Sequence, residues 1–183
     1  MRLFTGIDLS ADVRQRLERQ LAQLRPAAHL KWSPVDNLHI TTKFIGEWPE
    51  NKLDDLTAAL GSIASRPPIT IAIEGLGWFP NPHQPRVFWA GAHGGQPLSE
   101  LAGTIDQALH PIGIPLETKP YSPHVTLARI AQPTSLTAIQ HAIAGLESAE
   151  FGMFQAKHFY LYLSHAGPAG TIYTKLSEFA ISE

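Results

Sequence analysis

Leu38-His39-Ile40-Thr41-Thr42-Lys43-Phe44-Ile45 carries a His-x-Thr tripeptide inside an apolar, strand-forming run. Pro123-His124-Val125-Thr126-Leu127-Ala128-Arg129 carries it again. In a strand, residues two apart share a face. His39 therefore points with Thr41, and His124 with Thr126, while Ile40 and Val125 point to the opposite, buried face. The copies fall near the middle of each half of the chain, so equivalent strands can deliver two imidazoles to one cleft. One imidazole can remove a proton while the other gives one, which is the equipment for breaking a phosphodiester without a metal. The Thr41 and Thr126 hydroxyls can hold phosphate oxygens. A tripeptide is a short signal among nine histidines, and its weight comes from the matched, one-sided setting of the two copies.

Outward from these strands the two halves share an outline. Leu3 to Asp8 reads as a strand. Ser10 caps a helix with Val13, Leu17, Leu21 and Leu24 on one face. Leu30 to Ser33 is short and extended. A helix follows Pro49, with Leu53, Leu56, Leu60 and Ile63 on its face, and Pro67-Pro68 stop it. Ile69, Ile71 and Ile73 alternate as a strand, Phe79 to Gln84 reads as a loop, and Arg86 to Ala92 as a strand. Gly94-Gly95 precede a helix carrying Leu98, Leu101, Ile105 and Leu109. Pro111 to Pro123 is a Pro-rich connection into the second His-x-Thr strand, His124 to Ile130. Pro133-Thr134 open a helix with Leu136, Ile139, Ile143 and Leu146. Phe154 to Ser164 and Thr171 to Ile181 close as a strand pair joined through Gly167 and Gly170. Adjacent strands interleaved with about four helices indicate an α+β fold rather than a doubly wound parallel sheet.

The 183 residues suit one domain, or two small lobes sharing a core. There is no cysteine, so disulfides and thiolate metal sites are excluded. A net charge of −2 argues against broad, sequence-blind binding of long nucleic acid but leaves room for a small basic pocket. Met1-Arg2-Leu3-Phe4 runs straight into a strand pattern, with no sign of a signal peptide. No apolar run approaches the ~20 residues of a membrane span. A soluble cytoplasmic protein with no membrane attachment is the expectation.

Other candidates surround the two motifs. Ideal alternation puts Arg129 on the face opposite His124, so it joins the site only through a bend, a bulge or a strand end; its fork suits phosphate oxygens. Lys43 shares the parity of His39 and Thr41. Trp32, Trp89, Phe44 and Tyr121 are aromatics available to stack on a base. His83, His93, His158 and His165 lack ligand-like spacing. With no HExxH and no dense carboxylate–histidine cluster, no metal is expected, and no Gly-rich loop fits a nucleotide cofactor.

Several stretches resemble the two-histidine (2H) phosphoesterase superfamily, and within it the RNA 2′,3′-cyclic phosphodiesterases once described as 2′-5′ RNA ligases (LigT type). They are Leu3-Phe4-Thr5-Gly6-Ile7-Asp8, the run from Lys31 to Glu47, Arg86-Val87-Phe88-Trp89-Ala90-Gly91, and Tyr121 to Arg129. Phe159 to Ser164 and Tyr173-Thr174-Lys175-Leu176 complete them. The similarity spans essentially the whole chain in order. Thr42 departs from it, since the family usually has an apolar residue there.

The resemblance implies one domain over residues 1–183, with two pseudo-symmetric antiparallel sheets flanking a cleft, helices outside, and one His-x-Thr strand per lobe. It implies hydrolysis of RNA or nucleotide 2′,3′-cyclic phosphate ends to 2′-phosphomonoesters, with reversible 2′-5′ ligation and no cofactor. His39 would be the proton donor and His124 the acceptor, an assignment that the residues alone leave open. Thr41, Thr126 and Arg129 would hold the phosphate, and Lys43, Phe44 and Tyr121 would contact base or ribose. A monomer with no obligatory protein partner is implied. Two other readings share these motifs: an RNA-end-binding module without turnover, and a phosphodiesterase for another cyclic phosphate.

Overall fold

The computed structural model describes residues 1–183. β1 (Arg2–Asp8) leads into α1 (Ala11–Leu24), and a two-residue β2 (Lys31–Trp32) precedes β3 (His39–Glu47). α2 (Leu53–Gly61) and β4 (Ile69–Phe79) follow. β5 (Val87–His93), α3 (Gly95–Leu109), β6 (His124–Arg129) and α4 (Thr137–Ala144) repeat the outline. β7 (Glu150–Ala156), β8 (His158–Gly167) and β9 (Gly170–Ala180) finish the chain. No helix is long and apolar enough to cross a membrane.

The strands pair antiparallel in the order β7-β4-β5-β6-β3-β1-β8-β9, with β2 alongside β6. The halves of the sheet, β7-β4-β5-β6 and β3-β1-β8-β9, meet at a single residue pair, Ile40 with Val125, between β3 and β6. Each half takes an inner strand pair and an outer one: β1 beside β3 is flanked by β8, and β5 beside β6 is flanked by β4. A local pseudo-twofold therefore passes through the Ile40–Val125 pair.

One face of this sheet is apolar. Ile40, Phe88, Ala90, Val125 and Leu161 pack there against the buried stripes of all four helices in one continuous core. α1 shows how the sequence builds a stripe. Ser10 Oγ accepts the Val13 amide proton to start the helix, and Val13, Leu17, Leu21 and Leu24 recur every three or four residues. The other face is left open, and it carries the His-x-Thr side chains.

Both motif strands break their alternation at the same place. The β1–β3 register slips between Thr5 and Gly6, and Thr42 and Lys43 are both buried. The β5–β6 register slips between Phe88 and Trp89, and Leu127 and Ala128 are both buried. A bulge of one residue reverses the parity of everything after it. Phe44 and Arg129, each five positions past its histidine, thus return to the histidine face.

Some boundaries differ from the sequence reading. α2 stops at Gly61, well before Pro67-Pro68, and α4 starts at Thr137 rather than at Pro133-Thr134. β4 continues past Ile73 through a register shift to Phe79. Phe154 to Ser164 is not one strand. β7 pairs with β4 and β8 with β1, so the chain changes halves at Lys157. Alternation alone cannot distinguish a straight strand from one that changes partner.

Thr42 is explained by its neighbour. Its hydroxyl meets that of Thr5 at 2.7 Å, and both side chains are buried. Thr42→Val leaves the Thr5 hydroxyl buried without a partner, which should cost about 1–3 kcal/mol. Adding Thr5→Val should recover most of that loss. Urea unfolding of the wild type, both singles and the double variant measures the coupling, and strictly additive losses would contradict it.

Candidate active site

The Ile40–Val125 pair fixes the arrangement. One residue to either side, the antiparallel register sets His39 beside Thr126 and Thr41 beside His124, all on the open face. The two histidines sit at diagonal corners and are half-buried.

Each ring is held in the same way. His39 Nδ1 donates to the Asn37 carbonyl at 2.7 Å, and His124 Nδ1 donates to the Ser122 carbonyl at 2.7 Å. A carbonyl can only accept, so the single proton of each neutral ring lies on Nδ1 and Nε2 presents its lone pair. Aromatic rings support both imidazoles. Ring centroid to ring centroid, Phe4 lies 4.8 Å from His39 and Tyr173, perpendicular to it, 5.2 Å, while Phe79 lies perpendicular to His124 at 5.0 Å. The sites differ at Nε2. That of His39 accepts from the Thr41 hydroxyl at 2.9 Å, whereas that of His124 has no protein partner.

Burial pulls the His39 pKa down to about 4. The positive charges of His124 and Arg129 lower it further, against the Asn37 carbonyl and Asp8. Burial also lowers that of His124, with Arg129 adding to the effect and the Ser122 carbonyl opposing it. Asp8 stands directly across the β1–β3 pair from His39 and is itself held by Arg14 and by Lys175 at 2.6 Å. Arg129 reaches the histidine face through the β6 bulge, lies across from Val87, and makes no ion pair within the protein.

Lys43 corrects the parity argument. The bulge at Thr42 turns it away from the cleft floor and buries it against α3. Its ammonium donates to Asp106 Oδ1 at 2.6 Å, the Pro115 carbonyl at 2.8 Å and Glu117 Oε1 at 3.2 Å. Tyr121 is similarly occupied, donating to the Thr41 carbonyl at 2.7 Å, and burial raises its pKa. These two side chains tie the 113–123 connection, which delivers His124, to the strand that carries His39. Phe44 is 64% exposed beside Phe4, and an open cleft of ≈ 320 Å³ is lined by Thr41, Lys43, Phe44, Lys119, Tyr121 and His124, with Lys43 in its wall.

Trp32 is tied down by a hydrogen bond from Nε1 to the Ala28 carbonyl and packs edge-on against Phe88. Trp89 lies across from Thr126, against Phe79. No group of three or more His, Cys, Asp or Glu side chains converges as a metal site. Sequence reasoning missed Asp8, Phe4, Phe79 and Tyr173, which join the site through strand pairing. It also missed the Asn37 and Ser122 carbonyls, which have no side-chain signature; the repeated offset of two before each histidine was the available clue.

A curled antiparallel sheet with paired His-x-Thr strands on its open face defines the two-histidine class of phosphoesterase folds. The chain belongs to the LigT-like phosphoesterase family, whose model matches residues 7–89 and 92–173. The RNA 2′,3′-cyclic phosphodiesterase of Methanocaldococcus jannaschii is 34% identical over 178 residues, covering 97% of this chain and 99% of the relative. That of Thermus thermophilus is 35% identical over 188 residues, covering 99% and 90%. Among solved structures, a protein of Thermus thermophilus superposes with a TM-score of 0.82 at 32% identity, covering 100% of both chains. Escherichia coli LigT complexed with 3′-AMP gives 0.76 at 26% identity, covering 100% of this chain and 98% of that one.

The Lys43 tether has a measurable consequence. Lys43→Met removes the charged partner of a largely buried carboxylate, Asp106, leaving it only the Glu117 amide, and should lower stability by about 3 kcal/mol. Limited proteolysis should then cut within 113–123 faster than in the wild type. A loss below about 0.5 kcal/mol, as for a solvated ion pair, would contradict this role.

Proposed function

We propose that the protein hydrolyses terminal 2′,3′-cyclic phosphates of RNA and nucleotides to 2′-phosphomonoesters, with His39 as general acid and His124 as general base. The observation that carries this reading is the mirrored pair of imidazoles. Each is locked by Nδ1 onto a backbone carbonyl, and each offers Nε2 to one open face across the Ile40–Val125 pair. The similarity to the RNA 2′,3′-cyclic phosphodiesterases of Methanocaldococcus jannaschii and Thermus thermophilus supports the substrate class. The two halves act as lobes of one domain spanning residues 1–183.

The cyclic phosphate lies between the imidazoles. Water attacks phosphorus opposite the 3′-oxygen, and His124 Nε2 takes its proton. The bond from phosphorus to the 3′-oxygen breaks, and a proton on His39 Nε2 goes to that oxygen. The phosphate stays on the 2′-oxygen. Thr41, Thr126 and Arg129 stabilise charge on the non-bridging oxygens. In the free protein the Thr41 hydroxyl donates to His39 Nε2, the nitrogen that must carry the acidic proton. Substrate therefore acts twice at His39: its negative charge favours the imidazolium, and its oxygens give the Thr41 hydroxyl a new acceptor. With a 5′-hydroxyl in place of water, the same ring opening forms a 2′-5′ linkage: His124 takes the hydroxyl proton, the bond from phosphorus to the 3′-oxygen breaks, and His39 protonates that oxygen.

The pH dependence follows from the signs. A base must be neutral, so the rate rises as pH passes the His124 pKa; an acid must be protonated, so it falls as pH passes the His39 pKa. Both values are depressed in the free protein, so kcat/KM should be bell-shaped with its maximum below ~6.5, the ordinary histidine value. The kcat profile should lie at higher pH, because bound anion raises both values. His39→Ala and His124→Ala should each lower turnover by about 10²–10⁴-fold, with binding much less affected. His141→Ala, on the exposed face of α4, should leave it nearly unchanged. Phosphorus NMR of the product should show a 2′-phosphate. A mainly 3′-phosphate product, or a folded His39→Ala or His124→Ala protein of full activity, would overturn the reading.

A further inference from the structure

Beyond the two-histidine square lies a pair of cations that the chemistry above leaves half used. β2 runs antiparallel to β6 with Lys31 directly opposite Arg129. Directly opposed residues share a face of the sheet, so Lys31 stands with Arg129 on the side that carries His124 and Thr126. Both side chains are exposed. Neither makes an ion pair. Like charges directly across a strand pair repel each other. Here no acidic residue relieves them: the groove of ≈ 500 Å³ that they line is completed by His29, Gln132, Pro133 and Thr134, among others, with no Asp or Glu.

An unneutralised cation doublet in an acid-free groove, adjoining the phosphoryl site, is complementary to a second anion on the same ligand. Arg129 sits at the junction. Its charge is felt by both imidazoles, and its neighbour Lys31 lies one strand spacing further out, about 4.8 Å on. The doublet lies at the end of the cleft where β3 begins, the His39 end, since β3 and β6 run antiparallel through Ile40–Val125. On the reading given above, which this inference rests on, His39 protonates the leaving 3′-oxygen, so the terminal ribose lies at this end. We propose that Lys31, with Arg129, forms a second phosphate subsite that takes the 5′-phosphate of the terminal nucleotide. The preferred substrate is then an RNA end or a 5′-phosphorylated cyclic nucleotide rather than a bare nucleoside 2′,3′-cyclic phosphate. β2 is short and its Lys31 side chain is solvent-facing, so the residue can be changed without disturbing the core.

The test compares kcat/KM on three substrates: adenosine 2′,3′-cyclic phosphate, the same compound carrying a 5′-phosphate, and a dinucleotide ending in the cyclic phosphate. The wild type should favour both longer anions by about tenfold at low salt, with the preference shrinking as salt rises. Lys31→Ala should bring the two ratios towards one, and Lys31→Arg should keep them. Gain from the dinucleotide but not from the 5′-phosphate alone would assign the effect to the extra base and overturn the phosphate subsite. A wild-type ratio near one, or a ratio unmoved by Lys31→Ala, would overturn it too. If none of the three is hydrolysed, the parent reading fails instead, so the two failures are distinguishable.

Discussion

The single residue pair between Ile40 and Val125 is the constraint on which the rest depends. It is the only place where the halves of the sheet are hydrogen-bonded in register. In an antiparallel ladder the residues flanking such a pair must point to the face opposite it. With Ile40 and Val125 in the core, His39, Thr41, His124 and Thr126 have no other place to go than the open face, and no other order than two histidines on one diagonal. A slip of one residue would bury all four polar groups and expose two apolar ones, so the hydrophobic core itself enforces the geometry of the site.

One pair alone is a weak joint, and the protein reinforces it with buried polar contacts. Lys43 binds Asp106 and the Pro115 carbonyl, Tyr121 binds the Thr41 carbonyl, and Ser33 Oγ donates to the Thr126 carbonyl. Each links an element beside one motif strand to the other. The result is a site that is symmetric where chemistry needs it, with equivalent tautomers and equivalent bulges. It is asymmetric where roles must diverge: His39 is deeper, sits beside Asp8 and is hydrogen-bonded by Thr41, while His124 leaves its Nε2 open. The two sequence-equivalent positions past the bulges have likewise diverged, into an aromatic, Phe44, and a cation, Arg129.

Much of this was legible in the sequence because it rests on periodicity. The stripes of α1 and α3, the one-sided motif strands and the repeated outline all follow from spacing alone. The α+β class is what the structure contains, but the two expected antiparallel sheets are halves of one sheet joined at Ile40–Val125, each bearing one His-x-Thr strand. What alternation could not supply was the bulge. Parity placed Lys43 on the histidine face and Arg129 on the opposite one, and a one-residue register slip in each strand exchanged those faces. Lys31 was equally hidden, because its meaning comes from a cross-strand partner far along the chain. Asn37 and Ser122 act through backbone carbonyls, for which residue identity carries no information.

The central claim is that His39 and His124 work as one proton-transfer unit rather than as two independent contributors. The direct measurement is the turnover of the His39→Ala/His124→Ala double variant on a 2′,3′-cyclic nucleotide, set against the two single variants and the wild type. Removing either partner of a coupled acid–base pair already disables the transfer. The double variant should therefore be little slower than the worse single variant. A double variant slowed by the full product of the two single losses would contradict it.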